Sequence, residues 1–416
     1  MEQKRLCPFC MGELPPAATV CPHCGKILEE CNPAGCLPVG TVLAGRYTVG
    51  EMRSLDGEGV LYSGVENLGG FRVTIKEYLP VTLSAERGAD CILRPKQGSE
   101  VLFKTTRMDF ADLYRAIQRI TPASGLEAVL DVVEANNTVY AVLENLGGTP
   151  LEQWLENRPA PVQAEEACAM LRPVFEGVAA MHKAGLVHRG ICPENIRVMS
   201  DGRCRLAGYA TVGLRTAGSG LHEQLYEGYS APEQYTTAEF EGRYTDEYSL
   251  AAVFYRMVCG QAPMPAAQRV VSDSNPRART VEPAVPAYVS DVLQLGLRLK
   301  VMERIQTVPQ LYQALFFQGI YRRADPHHEA GDPDASGADR AERAGQGTPA
   351  QFERAAGGHS DPAFRFDLAH PVGHREQQGG TNSLFGAELG SCQQRGNEAP
   401  EPCAQLCGHR LRTNQE

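Results

Sequence analysis

The spacing of apolar positions changes along the chain. Runs such as Arg46-Tyr47-Thr48-Val49 and Phe71-Arg-Val-Thr-Ile-Lys76 have β character and predict strands. Further on the period lengthens: Phe110, Leu113, Ile117 and Ile120 share one helical face, as do Leu171, Val174, Val178 and Met181. Leu250-Ala-Ala-Val-Phe-Tyr255 is apolar throughout, as a helix buried on all sides requires. Strands first and helices later predict a two-lobed α+β domain.

Shifts in composition divide the chain into a cysteine-rich head over residues 1–30, a Pro/Gly linker over 31–45, the mixed domain over 46–321 and a polar tail over 322–416. The strand-rich part of the domain is expected over 46–145 and the helix-rich part over 146–321. In the tail no apolar periodicity survives, so little surface can be buried against chain entropy, and disorder is expected. Its Cys392, Cys403, Cys407 and His409 follow no metal-ligand spacing and are read as stray thiols and a stray imidazole. A shifted reading frame is a second reading of so abrupt a change, and the coding DNA tests it.

The 416 residues, 43% of them hydrophobic, suffice for a sizeable core. A formal net charge of -10 argues against generic attraction to nucleic acid or anionic lipid, because no excess of Lys and Arg is left to neutralise phosphates. No stretch approaches the roughly 20 apolar residues that span a bilayer, and cysteines follow Met1-Glu-Gln-Lys-Arg where a leader would be apolar. A cytoplasmic protein without a membrane span is expected. Four of the 14 cysteines sit in CxxC pairs and the rest are scattered, which suits a reducing compartment.

Cys7-Pro-Phe-Cys10 and Cys21-Pro-His-Cys24 form C-x2-C-x10-C-x2-C, with Gly12 and Gly25 just after each pair. Four thiolates saturate a tetrahedral Zn²⁺ and leave no position for water, so the expected site is structural. With the shell complete, His23 is read as solvent-facing, and Cys31 and Cys36 as spare thiols. The head resembles the double-knuckle zinc ribbons of many bacterial proteins.

The ordered motifs Val73-Thr-Ile-Lys76, Leu186-Val-His188-Arg189-Gly190-Ile-Cys-Pro193-Glu-Asn195-Ile196, Ala231-Pro232-Glu233 and Tyr244-Thr-Asp246-Glu-Tyr-Ser-Leu250 follow one another over some two thirds of the chain. From Arg46 to about Tyr321 the sequence resembles the bacterial Hanks-type Ser/Thr protein kinases, in particular those with an N-terminal zinc ribbon. The resemblance implies a bilobal kinase-like fold, β-rich then α-rich. It also implies four devices for phosphoryl transfer: a glycine loop, a lysine held by a helix carboxylate, a metal-binding aspartate and an aspartate that orients the hydroxyl.

Measured against those devices, the sequence departs at each. Ser54-Leu-Asp56-Gly57-Glu58-Gly59 keeps only the last glycine, Gly59, and places two carboxylates where phosphates belong. A like-charge pair about 5 Å apart costs on the order of 3 kcal/mol at an effective dielectric near 20, roughly a hundredfold in affinity. An ordinary polar hairpin is therefore expected there. Lys76 is kept, as a phosphate partner or as a solvated charge, while Leu113 stands at the helix glutamate position and Asp112 is its nearest carboxylate. Gly190 replaces the aspartate of the catalytic loop, and Gly208 the metal-binding aspartate. Asn195, at the second magnesium position, is read as bonding within its own loop.

The residues the family uses for architecture are present: His188, Arg189, Asp246 and Glu233 with an expected ion-pair partner in Arg304. The leading expectation is a pseudokinase that binds a partner protein, such as an active kinase or another signalling protein, with structural zinc, little or no ATP and no magnesium. An atypical active Ser/Thr kinase using Lys76, Asn195 and displaced acids such as Asp56 or Glu194 is the first alternative. The second is an adaptor working through the zinc ribbon, by protein contact, since Lys4, Arg5 and Lys26 are offset by Glu2, Glu13, Glu29 and Glu30.

Overall fold

In the computed structural model, residues 6–15, 17–28, 32–120 and 125–323 are described, and Cys392, Cys403, Cys407 and His409 lie outside the described residues. Strands β1 (Val42–Leu43), β2 (Tyr47–Leu55), β3 (Gly59–Glu66) and β4 (Arg72–Tyr78) run antiparallel. A hairpin of β5 (Ser84–Arg87) and β6 (Leu93–Pro95) and the helix α1 (Glu100–Ile120) follow. With β7 (Val129–Ala135) and β8 (Thr138–Glu144), the main sheet has the order β1-β2-β3-β4-β8-β7.

Register fixes which side chains share a face. Leu61 lies opposite Lys76 and Ser63 opposite Thr74, so all four project from one side of the sheet. The pairing of β2 with β3 slips between Val49 and Met52 and again between Met52 and Ser54, a bulge that leaves backbone donors unpaired in the ladder.

Helix α1 packs on β7 and β8 and buries Phe103, Phe110, Ala111, Tyr114 and Ile117. The expected face is thus rotated: Tyr114 is fully buried, while Leu113 and Ile120 only flank the core. Tyrosine reads as polar, but its ring supplies most of the apolar area at this position and its hydroxyl finds a partner.

The second lobe begins with β9 (Thr149–Pro150) and α2 (Leu151–Glu156), then α3 (Ala164–Lys183), whose buried face includes Leu171, Val174, Val178 and Met181. Strands β10 (Ile196–Val198) and β11 (Cys204–Leu206) join β9 in a small sheet. After α4 (Val212–Arg215), helix α5 (Arg243–Cys259) is buried at every residue from Thr245 to Tyr255, packed among α3, α7 (Ala278–Val281), α8 (Ala287–Gly296) and α9 (Val308–Arg323). Helix α6 (Ala266–Val271) precedes α7.

The head folds as two matching turns. Cys7 N–H donates to Gly12 O and Met11 N–H to Cys7 O, and Cys21 N–H donates to Lys26 O and Gly25 N–H to Cys21 O. The first knuckle seats on the bulge of β2, where Pro8 O accepts from Glu51 N–H at 2.7 Å and from the Ser63 hydroxyl at 2.8 Å. Asn32 closes the same bulge, its Oδ1 accepting from Met52 N–H at 2.8 Å.

Candidate functional site

The β2–β3 hairpin, Asp56-Gly57-Glu58-Gly59, is not the polar surface turn expected of it. Asp56 Oδ1 caps the turn by accepting from Glu58 N–H and Gly59 N–H at 2.9 and 2.8 Å. This aims the Glu58 side chain inward, where it has no solvent exposure. Lys76, buried on the facing strand, donates to Glu58 Oε1 at 2.7 Å and lies 3.2 Å from Asp56 Oδ2. Glu58 Oε2 accepts from the Thr211 backbone N–H at 2.9 Å and from its hydroxyl at 2.6 Å. Lys76 is therefore no solvated charge. Burial alone would pull its ammonium down, but Asp56 and Glu58 outweigh it and hold it well above the ordinary lysine range. For Asp56, too, burial opposes ionisation, and Lys76 with the two amides outweighs it and holds the carboxyl below its ordinary value.

The helix side of this cluster is aromatic. Tyr114 O–H donates to Tyr209 O at 2.8 Å, and Lys76 reaches the same carbonyl at 3.1 Å. Asp112 is exposed and sits 3.8 Å from Arg115, turned away from the lysine. One residue along a helix is roughly 100° of rotation, which explains why neither Leu113 nor Asp112 takes the place of a paired glutamate.

The two glycines at the missing aspartates are filled by neighbours. A Cβ on Gly190 would lie 2.8 Å from Arg215 Nε. Arg215, 2% exposed, donates to Gly208 O at 3.0 Å and to the Tyr226 hydroxyl at 2.9 Å, with its guanidinium over the Tyr226 ring. Gly208 has φ +81, and a Cβ there would fall 2.5 Å from the Asn195 amide carbon. Asn195 Nδ2 donates to Gly190 O at 2.8 Å and to the Tyr226 hydroxyl at 3.0 Å. Glu194 is exposed and takes no part.

Architecture around the loop is dense. Asp246 accepts from His182 Nε2 at 2.7 Å and from the backbone N–H groups of His188 and Arg189 at 2.8 and 2.7 Å. Burial would raise this carboxyl, yet the His182 bond and the neighbouring imidazoles hold it below the ordinary range. The His188 ring is pushed down to about 4 by burial and is neutral at physiological pH, its Nε2–H donating to Ala207 O and its Nδ1 accepting from Gly190 N–H. Arg189, at φ 63, pairs with Glu241 at 2.5 Å. Arg304 donates to both oxygens of Glu233 at 2.8 and 3.1 Å, both side chains fully buried.

In the head, the Sγ atoms of Cys7, Cys10, Cys21 and Cys24 all lie within 4.8 Å of one another, with Cys7–Cys24 at 3.8 Å and Cys10–Cys21 at 3.6 Å. Sulfurs around a tetrahedral ion with Zn–S near 2.3 Å would be about 3.8 Å apart, so the four thiols fit a closed metal site. His23 is exposed and turns its Nε2 to the Glu13 carbonyl at 3.0 Å. Magnesium finds no such fit in the cleft, because Gly190 and Gly208 offer no carboxylate and a guanidinium lies between them.

Arg215, Thr211, Tyr114 and Tyr226 were not legible as site residues. Their contacts are long-range, and an arginine 25 positions after a glycine carries no spacing signal.

Residues 115–316 match the protein kinase domain family. Among curated proteins, the chain is 34% identical to "Serine/threonine-protein kinase PknL" of Mycobacterium tuberculosis over 190 residues, 43% of this chain and 46% of that one. It is 26% identical to "Serine/threonine-protein kinase PknA" of the same species over 276 residues, 62% and 58% of the two chains. The chain thus spans about half the length of these relatives. A solved structure titled "PpkA-294 apo form" is similar with a TM-score of 0.57 at 23% identity, over 68% of this chain and 100% of that chain. Among the described residues, no helix is long and apolar enough to cross a membrane. The sheet-rich and helical lobes, the matched region and the similarity to bacterial Ser/Thr kinases together support a protein kinase fold.

Proposed function

We propose that this chain is a pseudokinase: a cytoplasmic regulatory module that keeps the kinase scaffold, has given up phosphotransfer, and acts by presenting its surfaces to a partner protein. The observation that carries this reading is the Glu58 carboxylate, fully buried between Lys76 and Thr211. The lysine that would steady nucleotide phosphates is already neutralised from within the chain. An entering triphosphate must displace that carboxylate or meet its charge at close range. Gly190 and Gly208 leave no acid to orient a hydroxyl or anchor magnesium, and Arg215 brings a positive charge to the ground a metal would need.

Cys7, Cys10, Cys21 and Cys24 would hold zinc, which supplies folding energy to the head and has no open position for chemistry. Reduced thiols in this arrangement suit a cytoplasmic protein.

The test is a melting-temperature titration of the full chain with ATP, with and without Mg²⁺, beside a γ-phosphate transfer assay on itself and on a generic protein substrate. A flat response and no transfer are expected. A large magnesium-dependent rise together with transfer abolished by Lys76→Met would establish the active-kinase reading instead.

A further inference from the structure

A cavity of about 110 Å³ lies between the first cysteine knuckle and the sheet. The knuckle contributes Phe9 and Cys10, strands β2 to β4 contribute Arg53, Ser63 and Arg72, and Asn145 closes it from the segment that leads to the second lobe. Its volume is several times what one water needs.

The charge of its lining is unbalanced. Neither the Arg53 nor the Arg72 guanidinium has a carboxylate or hydrogen-bond partner among the described residues. Elsewhere in this lobe Arg46, Arg87, Arg94 and Arg115 each meet an acid, as expected in a chain with net charge -10. Among the described residues no carboxylate lines the cavity, and the nearby Glu51 is engaged by Lys26 at 3.5 Å. The Ser63 hydroxyl already donates to Pro8 O, but the two unpaired guanidiniums and the Asn145 amide, all on solvent-accessible side chains, form a donor set suited to an oxyanion, which Arg grips through paired N–H groups. Among the described residues a cation would find no carboxylate in this lining.

We propose that this seam is a binding site for a compact oxyanion, a phosphate group either free or carried by a small metabolite. Cys10 belongs both to its wall and to the thiol cluster, so occupancy of the site is coupled to an intact knuckle.

The test uses the full zinc-loaded chain and titrates inorganic phosphate and, separately, glycerol phosphate at constant ionic strength, by calorimetry and melting temperature. Saturable binding with Kd near or below about 1 mM is expected, and whichever ligand binds tighter identifies the source. Arg53→Gln with Arg72→Gln should weaken it by at least about tenfold, with zinc content and circular dichroism unchanged. Arg53→Lys with Arg72→Lys, which keeps the charge and loses the fork, should also weaken it, whereas Arg119→Gln should not. Removing zinc with a chelator should reduce binding in the unmodified chain. Absence of saturation below roughly 10 mM, an equal response to chloride, or undiminished binding in both double variants would overturn the proposal.

Discussion

Glu58 Oε1 lies 2.7 Å from Lys76 Nζ, and the two side chains are 0% and 5% exposed. The pair takes its acid from a hairpin turn, whereas the family resemblance implies one on the helix. Replacing Glu58 by Ala leaves Lys76 with Asp56 as its remaining acid and the Tyr209 carbonyl as its remaining neutral acceptor. Losing one partner of a buried pair typically costs about 3 to 5 kcal/mol, and the remaining carboxylate should hold the loss near the lower end. Urea denaturation of Glu58→Ala measures it, and the double change Glu58→Leu with Lys76→Met should recover most of the loss.

Restoring the missing acids should not restore phosphotransfer. Gly190→Asp drives a side chain into Arg215, and Gly208→Asp puts one into Asn195 at a φ of +81. Each should lower stability by roughly 1 to 3 kcal/mol. The informative variant adds Arg215→Ala to both: if it melts higher than the double aspartate variant yet transfers no phosphate from ATP, the site is closed by repacking and not by two deletions alone.

Glu247 is fully buried on α5 with neither carboxylate oxygen hydrogen-bonded among the described residues, and burial pushes its pKa up to about 9. The folded state therefore binds more protons than the unfolded state between about pH 4.5 and 9, and stability must fall as pH rises through that window. At pH 7 the penalty is on the order of 3 kcal/mol. Glu247→Met should raise stability at neutral pH and flatten its pH dependence, measured as unfolding free energy at pH 5, 7 and 8.5. Equal slopes in the two proteins would mean that the carboxyl is charged and partnered.

Metal removal should be felt beyond the head. Pro8 O satisfies Glu51 N–H and the Ser63 hydroxyl, so a collapsed knuckle leaves the Glu51 N–H without its partner, worth about 1 to 3 kcal/mol, and Ser63 with only its longer 3.3 Å bond to Glu51 O. Treatment with a strong chelator, or Cys21→Ser, should lower the melting temperature of the whole domain and speed amide exchange at Glu51. Loss of the head signal alone would show that the two parts fold independently.

Much of this was readable from residue order. The β runs at 46–49 and 71–76 fall within β2 and at the start of β4, and Glu233 and Arg304 meet at 2.8 Å although 71 positions apart. The CxxC spacing anticipated a compact cluster of four thiols. What stayed hidden depended on tertiary packing. Glu58 is set against phosphate by its place in the motif, and only the strand register brings it to Lys76. Tyr114 is hidden because a tyrosine interrupts an apolar stripe when only aliphatic positions mark the face. Arg215 had no local pattern, since its place is set by the void that two distant glycines leave.

The bonds from Glu58 to Thr211 also bear on motion. They join the tip of the β2–β3 hairpin to the segment after Tyr209, bridging the two lobes. Separating the lobes must expose that carboxylate and free the Thr211 amide together. Deuterium uptake at this one amide should therefore clock the breathing of the cleft, staying slow while the latch holds and quickening when a ligand or partner prises it apart.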